Sequence, residues 1–127
     1  MGLPAAKQGD LVVGVDMHVV VPPSAPPVLM PLPFSGALKA NLSSDVTICG
    51  RPAATVGSTA DNVPVHVPPG GTFQRPPSNK GTVKVGSPTV RINGKPAARA
   101  GDPVETCNDP SDLPAGKIVA AGSVTIG

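Results

Sequence analysis

Two histidines, His18 and His66, and two cysteines, Cys49 and Cys107, are the only side chains of their kinds in this chain. Imidazole and thiolate are the usual donors to a transition metal. Three of the four fall in step with an internal repeat. The segments Pro4-Ala5-Ala6-Lys7-Gln8-Gly9-Asp10, Pro52-Ala53-Ala54-Thr55-Val56-Gly57-Ser58 and Pro96-Ala97-Ala98-Arg99-Ala100-Gly101-Asp102 all fit Pro-Ala-Ala-x-x-Gly-[Asp/Ser]. His18 lies 14 residues after Pro4, His66 lies 14 after Pro52, and Cys107 lies 11 after Pro96. If three related loops converge on a symmetry axis, they present two imidazoles and a thiolate to one point, a set that suits tetrahedral Zn²⁺ with bonds of about 2.0–2.3 Å. A lone histidine is more often an ordinary core or surface side chain; the shared register is what favours one common site. The fourth position stays open between a metal-bound water, Asp16 near His18, Asp109 near Cys107, and Cys49. Cys49 aligns with Asn93 at the end of a strand, which symmetry places away from the other three. A Cys49–Cys107 disulfide is the competing reading, disfavoured in a reducing compartment.

The elements that must position these residues are short strands. Asp45-Val46-Thr47-Ile48-Cys49-Gly50-Arg51 aligns with Thr89-Val90-Arg91-Ile92-Asn93-Gly94-Lys95, and the chain ends on a third copy, Ser123-Val124-Thr125-Ile126-Gly127. Each reads as a strand of period two closing in a glycine turn, after which Pro-Ala-Ala starts the next short strand. Alanine lets backbones approach closely, and the glycine before Asp or Ser can take positive φ. Three strand copies and three Pro-Ala-Ala copies are offset so that the N-terminal end can complete what the C-terminal end begins. The expectation is a single all-β domain over residues 1–127: a small cone, or pyramid, of short strands with pseudo-three-fold repeats and long Pro-rich loops.

Composition agrees. Proline (18) and glycine (15) make up about a quarter of the 127 residues, which excludes most helical folds. Disorder is opposed by a hydrophobic share of 39%, a charged share of only 14% and a mean hydropathy of +0.11. Trp and Tyr are absent and Phe34 and Phe73 are the only aromatics, so the core is thin and a metal or partner surface is expected to assist it. A net charge of +2 with no Lys/Arg run argues against nucleic acid. No apolar stretch is long enough for a membrane helix, and no signal peptide is visible, so the protein is expected in the cytoplasm when made. The tracts Pro22–Phe34 and Val63–Pro77 read as stiff connectors rather than SH3-type ligands, because they lack flanking charge.

The tetrapeptide Pro96-Ala97-Ala98-Arg99, set between Ile92-Asn93-Gly94-Lys95 and Ala100-Gly101-Asp102, resembles the signature of PAAR-repeat proteins, as do Gly86-Ser87-Pro88-Thr89-Val90 and the ending Gly122-Ser123-Val124-Thr125-Ile126-Gly127. The first two copies are degenerate, with Lys7 and Thr55 in place of Arg99. The proline loops and the stretch around His66 are most similar to PAAR-like tips of extracellular contractile injection systems, relatives of type VI secretion and phage tails. The resemblance implies a bacterial protein assembled in the cytoplasm into a secreted or extracellular particle. There it would be a tip that caps a trimeric VgrG-type or phage-type spike, one per trimer, with one structural zinc near the point, aiding membrane puncture. Effector proteins are candidate passengers. Family members use histidines and a cysteine as metal ligands, roles that pass to His18, His66 and Cys107. Some relatives carry toxin extensions; the repeats here occupy residues 4–127, so a bare tip is expected. Two other readings remain: a small zinc-dependent hydrolase, opposed by the lack of His-Glu-x-x-His and of any glutamate near a ligand except Glu105, and a stand-alone scaffold or adaptor. The expectation is a structural protein rather than an enzyme.

Overall fold

In the computed structural model, which describes residues 2–127, the three Pro-Ala-Ala copies fold by one local rule. Gly9, Gly57 and Gly101 take φ of 91°, 98° and 85°, a region that only glycine enters without strain. The turn is closed by Asp10 N–H to the Lys7 carbonyl (3.1 Å), Ser58 to Thr55 (3.0 Å) and Asp102 to Arg99 (3.1 Å). The residue after each glycine then returns the favour through its side chain: Asp10, Ser58 and Asp102 accept the backbone N–H of Lys7, Thr55 and Arg99 at 2.9, 3.0 and 2.8 Å. This acceptor role suits the short oxygen-bearing side chains, Asp and Ser, that the three copies carry there. The two acidic copies also pair with the base three residues back, Lys7–Asp10 and Arg99–Asp102, whereas Thr55 and Ser58 form a neutral version.

The strands follow in chain order as β1 (Leu3–Pro4), β2 (Leu11–Val21), β3 (Val28–Ala40), β4 (Thr47–Ile48), β5 (Arg51–Pro52), β6 (Thr59–Asp61), β7 (Thr72–Phe73), β8 (Lys80–Val83), β9 (Arg91–Ile92), β10 (Lys95–Pro96), β11 (Pro103–Thr106), β12 (Leu113–Val119) and β13 (Thr125–Ile126). Three antiparallel ribbons, β13–β1, β4–β5 and β9–β10, form the base. Above them a six-stranded antiparallel barrel runs β2-β3-β6-β8-β11-β12 and closes by the β12–β2 pairing, with β7 added to the far end of β2. Among the described residues there is no helix. The chain is an all-β cone, as expected.

Its core is built in threes. Ala6 donates to the Ala98 carbonyl, Ala98 to Ala54 and Ala54 to Ala6, each at 3.0 Å, a cyclic ring of backbone hydrogen bonds on the axis. Over this ring stack Val12, Ala60 and Val104 from the ascending strands and Leu38, Val83 and Ile118 from the descending ones, all buried. Below it Ala5, Ala53 and Ala97 meet Ile48, Ile92 and Ile126. The symmetry extends to Gly36, Gly81 and Gly116, each two residues before a descending-strand core residue. A Cβ on Gly36 would overlap the Asp61 carbonyl oxygen of neighbouring β6. Gly36→Ala is therefore expected to destabilise by about 1–3 kcal/mol, although glycine-to-alanine changes usually stabilise through the unfolded chain; urea unfolding gives the sign.

Two local expectations need correction. Pro4, Pro52 and Pro96 end the ribbon strands rather than start new ones, because each following alanine turns inward to the axial ring. The tract Pro22–Phe34 is a connector only as far as Pro27; from Val28 it is strand, paired with β2 through Val20↔Val28, His18↔Met30 and Gly14↔Phe34. The odd-numbered residues of this hairpin turn their N–H groups outward, Met17 and Val19 to Asn108 and Asp109 and Ser35 to Asn62. Pro31 and Pro33 occupy such outward positions, so neither forfeits a bond to β2. The ribbon turns Cys49-Gly50 and Asn93-Gly94 have both residues at positive φ (52°/81° and 53°/78°), the two-residue geometry that matches strand twist.

Candidate metal centre

Toward the narrow end the three-fold pattern gives way to polar chemistry. On β2 the side chains alternate, so Val12, Asp16, His18 and Val20 face inward. Asp16 and His18 thus sit one pleat apart above the Val12 layer. His66 enters from the segment after β6, and Cys107 directly follows β11. The donor atoms of Asp16, His18, His66 and Cys107 lie within 4.8 Å of one another, and all four residues are buried. The imidazole rings of His18 and His66 are 5.0 Å apart, with the Phe73 edge 5.6 Å from His18.

Asp16 is the hub. Its Oδ1 accepts Thr106 Oγ1 (2.5 Å) and Asn108 Nδ2 (3.4 Å), and its Oδ2 faces His66 Nε2 (2.8 Å) and Cys107 Sγ (3.4 Å). His66 is held from behind: its N–H donates to Asn79 Oδ1 (2.8 Å), and its Nδ1 lies 3.2 Å from the Asn62 amide, which is itself oriented by Ser35 N–H on Asn62 Oδ1 (2.9 Å). His18 is different. Neither ring nitrogen makes a hydrogen bond. A carboxylate oxygen, Asp109 Oδ2, is 3.5 Å from Nδ1. A fully buried imidazole with no partner carries a desolvation cost of about 1–3 kcal/mol, which a ligand on the ring would offset. Burial pushes the Cys107 thiol up, and the Asp16 carboxylate pushes it further, against smaller opposing bonds from Asn79 and Ser78. Burial and Asp16 thus favour the neutral thiol, and a thiolate beside the carboxylate in this dry site would call for a cation between them.

Residues 74–127 match the family model described as the PAAR motif. The chain carries a PAAR motif. That motif is the signature of spike-tip proteins of contractile injection systems, which are structural proteins rather than enzymes, and PAAR motifs are metal-binding. No curated protein matches the chain. The PAAR match takes in β8 to β13, hence the third repeat and Cys107, but not Asp16, His18 or His66. These three come from the two degenerate repeats, which the cone nonetheless folds onto the same axis.

The donor set of this PAAR-motif chain fits a metal ion. It offers two imidazoles, a thiol and a carboxylate; a tetrahedral Zn²⁺ shell places its donors about 3.3–3.8 Å apart, within the observed 4.8 Å. The cone brings His18, His66 and Cys107 together and adds Asp16. The other residues named as fourth-position candidates lie elsewhere. Cys49 is exposed on the β4–β5 turn and free, as is buried Cys107, so no disulfide joins them. Asp109 stands on the Nδ1 side of His18. The Pro-Ala-Ala residues and Arg99 build the base and do not enter the site. The supporting Thr106, Asn108 and Asn79 are isolated Asn and Thr residues with no spacing signal in the sequence, and Asp16 is there one of several open candidates for the fourth position.

Proposed function

We propose that this PAAR-motif chain is the metal-pinned tip of a contractile injection spike, holding one structural Zn²⁺ through Asp16, His18, His66 and Cys107 and seating one copy on a trimeric VgrG-like spike. The observation that carries the reading is the pairing of a buried four-donor cluster at one end of the cone with a pseudo-three-fold base at the other. Bound there, the ion would cross-link three separate segments and resist their separation under load. The chain's own residues do the rest. Thr106 and Asn108 aim the Asp16 carboxylate, Asn79 and Asn62 fix His66, and the side chains of Asp16 and His66 are 0% and 2% exposed. So closed a site offers a substrate no approach, which disfavours the hydrolase reading.

At the base, the three ribbons are interrupted once, where β13 meets β1. Ser43 Oγ donates to Asn93 Oδ1 (2.5 Å) and Ser87 Oγ to the Gly127 carbonyl (2.5 Å), each linking one repeat to the next; Ala121 stands at the third equivalent position. Val46, Val90 and Val124 are equivalent residues around this base, with Val46 and Val124 exposed. A three-fold partner can meet all three at once, burying apolar area at about 25 cal/mol per Å². Assembly into a bacterial particle, puncture of a target membrane and carriage of effectors extend this proposal. The test uses Cys49 as a reporter. A thiol reagent is expected to label exposed Cys49 in the free protein and not buried Cys107, and a stable 1:3 complex with the cognate trimeric spike to protect it. Association with no spike trimer, or labelling of Cys49 at the same rate inside such a complex, would sink the docking reading.

A further inference from the structure

We infer that Asp109 is a positioning residue for the metal centre: its carboxylate holds His18 so that Nε2 turns to the cluster, and Arg75 holds that carboxylate in turn. This rests on the reading that Asp16, His18, His66 and Cys107 bind a metal ion. The argument begins with the unpartnered ring of His18. For Nε2 to give its lone pair to a metal, the ring hydrogen must sit on Nδ1 and needs an acceptor, which in metal sites is commonly a carboxylate. The carboxylate beside Nδ1 is that of Asp109, with Oδ2 at 3.5 Å, and Nδ1 has no hydrogen bond of its own.

Asp109 is built for that task rather than for ligation. Its Oδ2 accepts Val19 N–H at 2.8 Å and its Oδ1 accepts Arg75 Nε at 3.1 Å, while its own N–H donates to the Met17 carbonyl at 2.8 Å. With Met17 N–H on Asn108 Oδ1 (2.7 Å), the pair Asn108–Asp109 continues the edge of β2 that β12 leaves at Gly14. The carboxylate is therefore fixed to the same stretch of strand that carries His18. Arg75 binds both Asp109 and the Asn108 carbonyl and lies 4.0 Å from Asp112, joining the segment after β7 to the loop that carries Cys107. The acidic partner behind His18 is held by a guanidinium half exposed to solvent, so the apex is tied together from outside the cluster as well as within it.

The experiment compares wild type, Asp109→Asn and Arg75→Gln by competition for Zn²⁺ against a chelator, by the visible absorption of the Co²⁺-substituted protein, and by unfolding of the metal-free forms. The asparagine oxygen still accepts Val19 N–H, its NH2 group gives up the bond from Arg75 Nε, and an amide oxygen attracts the Nδ1 hydrogen more weakly than a carboxylate. Asp109→Asn is expected to bind metal about 10–100-fold more weakly and to shift the Co²⁺ bands, with a loss of metal-free stability too small to account for the weaker binding. Arg75→Gln, at a half-exposed position, is expected to weaken binding in the same direction by a smaller factor. If wild type binds Zn²⁺ and both variants match it, the inference is overturned while the metal reading stands. A loss of metal by Asp109→Asn that is fully accounted for by lost metal-free stability also overturns it. A wild type that takes up no Zn²⁺ or Co²⁺ overturns the metal reading itself.

Discussion

Excess Zn²⁺ is expected to raise the unfolding midpoint of the metal-free chain by roughly 10–20 °C, and His18→Ala, His66→Ala, Cys107→Ser and Asp16→Asn each to abolish the rise. A ligand present at a thousand times its dissociation constant stabilises the native state by about 4 kcal/mol, and in a domain of this size each kcal/mol moves the midpoint by roughly 3–5 °C. The metal-free protein should remain folded, because the barrel core of Val12, Ala60, Val104, Leu38, Val83 and Ile118 does not depend on the cluster. That sets it apart from isolated zinc fingers, in which binding and folding are one event. Asp16→Asn is the most informative variant. It keeps an oxygen for Thr106 but replaces the anionic Oδ2 that faces His66 and Cys107 with an amide NH2, so the Zn²⁺ response, read against unfolding of the metal-free variant, separates the carboxylate's part in holding the ion from its part in the hydrogen-bond network. Calorimetry with and without Zn²⁺ measures the shift, and metal analysis of the purified chain gives the stoichiometry, expected at one per molecule. An unchanged midpoint in wild type would remove the pinned apex.

Ala54→Leu is expected to cost at least about 3 kcal/mol and to leave little soluble protein, while Ala25→Leu on an exposed loop changes stability by less than about 0.5 kcal/mol. Ala54 is fully buried at the axis beside Ala6 and Ala98. Three added carbons have nowhere to go, and overpacking alone costs about 1–3 kcal/mol. The larger effect comes from the backbone. If the chain moves aside, the bonds from Ala54 to Ala6 and from Ala98 to Ala54 open, and each buried group left unpaired costs about 1–3 kcal/mol. Denaturant unfolding of the two variants side by side separates this from a general effect of added hydrophobicity. A leucine tolerated at residue 54 would show that the ring can open at no cost.

How far the sequence could be read depended on whether a residue's role was local. The turn glycines Gly9, Gly57 and Gly101, the strand copies around Ile48, Ile92 and Ile126, and the convergence of His18, His66 and Cys107 all followed from repeats and spacing, because symmetry converts sequence register into spatial position. The acceptor role of Asp10, Ser58 and Asp102 was present as a pattern without its reason. By contrast, Pro31 and Pro33 looked like loop residues, since proline in a strand is permitted only where the missing N–H faces no partner, and that depends on which edge β6 fails to reach. The choice of Asp16 over Asp109 within the cluster could not be made from sequence either. Both lie within two residues of a donor; what separates them is that Asp16 points inward on β2 while Asp109 spends its oxygens on Val19 and Arg75.

The axial alanine ring shows three equivalent segments, and the cluster above it shows four unlike donors. Three identical subunits on a rotation axis can offer an ion on that axis each kind of donor only in threes. Threading the three segments on one chain lifts that restriction. Each segment is then free to differ from the others, so the base keeps three equivalent ribbons while the other end is unequal, with Asp16 and His18 from one copy, His66 from another and Cys107 from the last. Covalent continuity is what lets one molecule keep three matched ribbons at its base and an asymmetric set of four donors at its point.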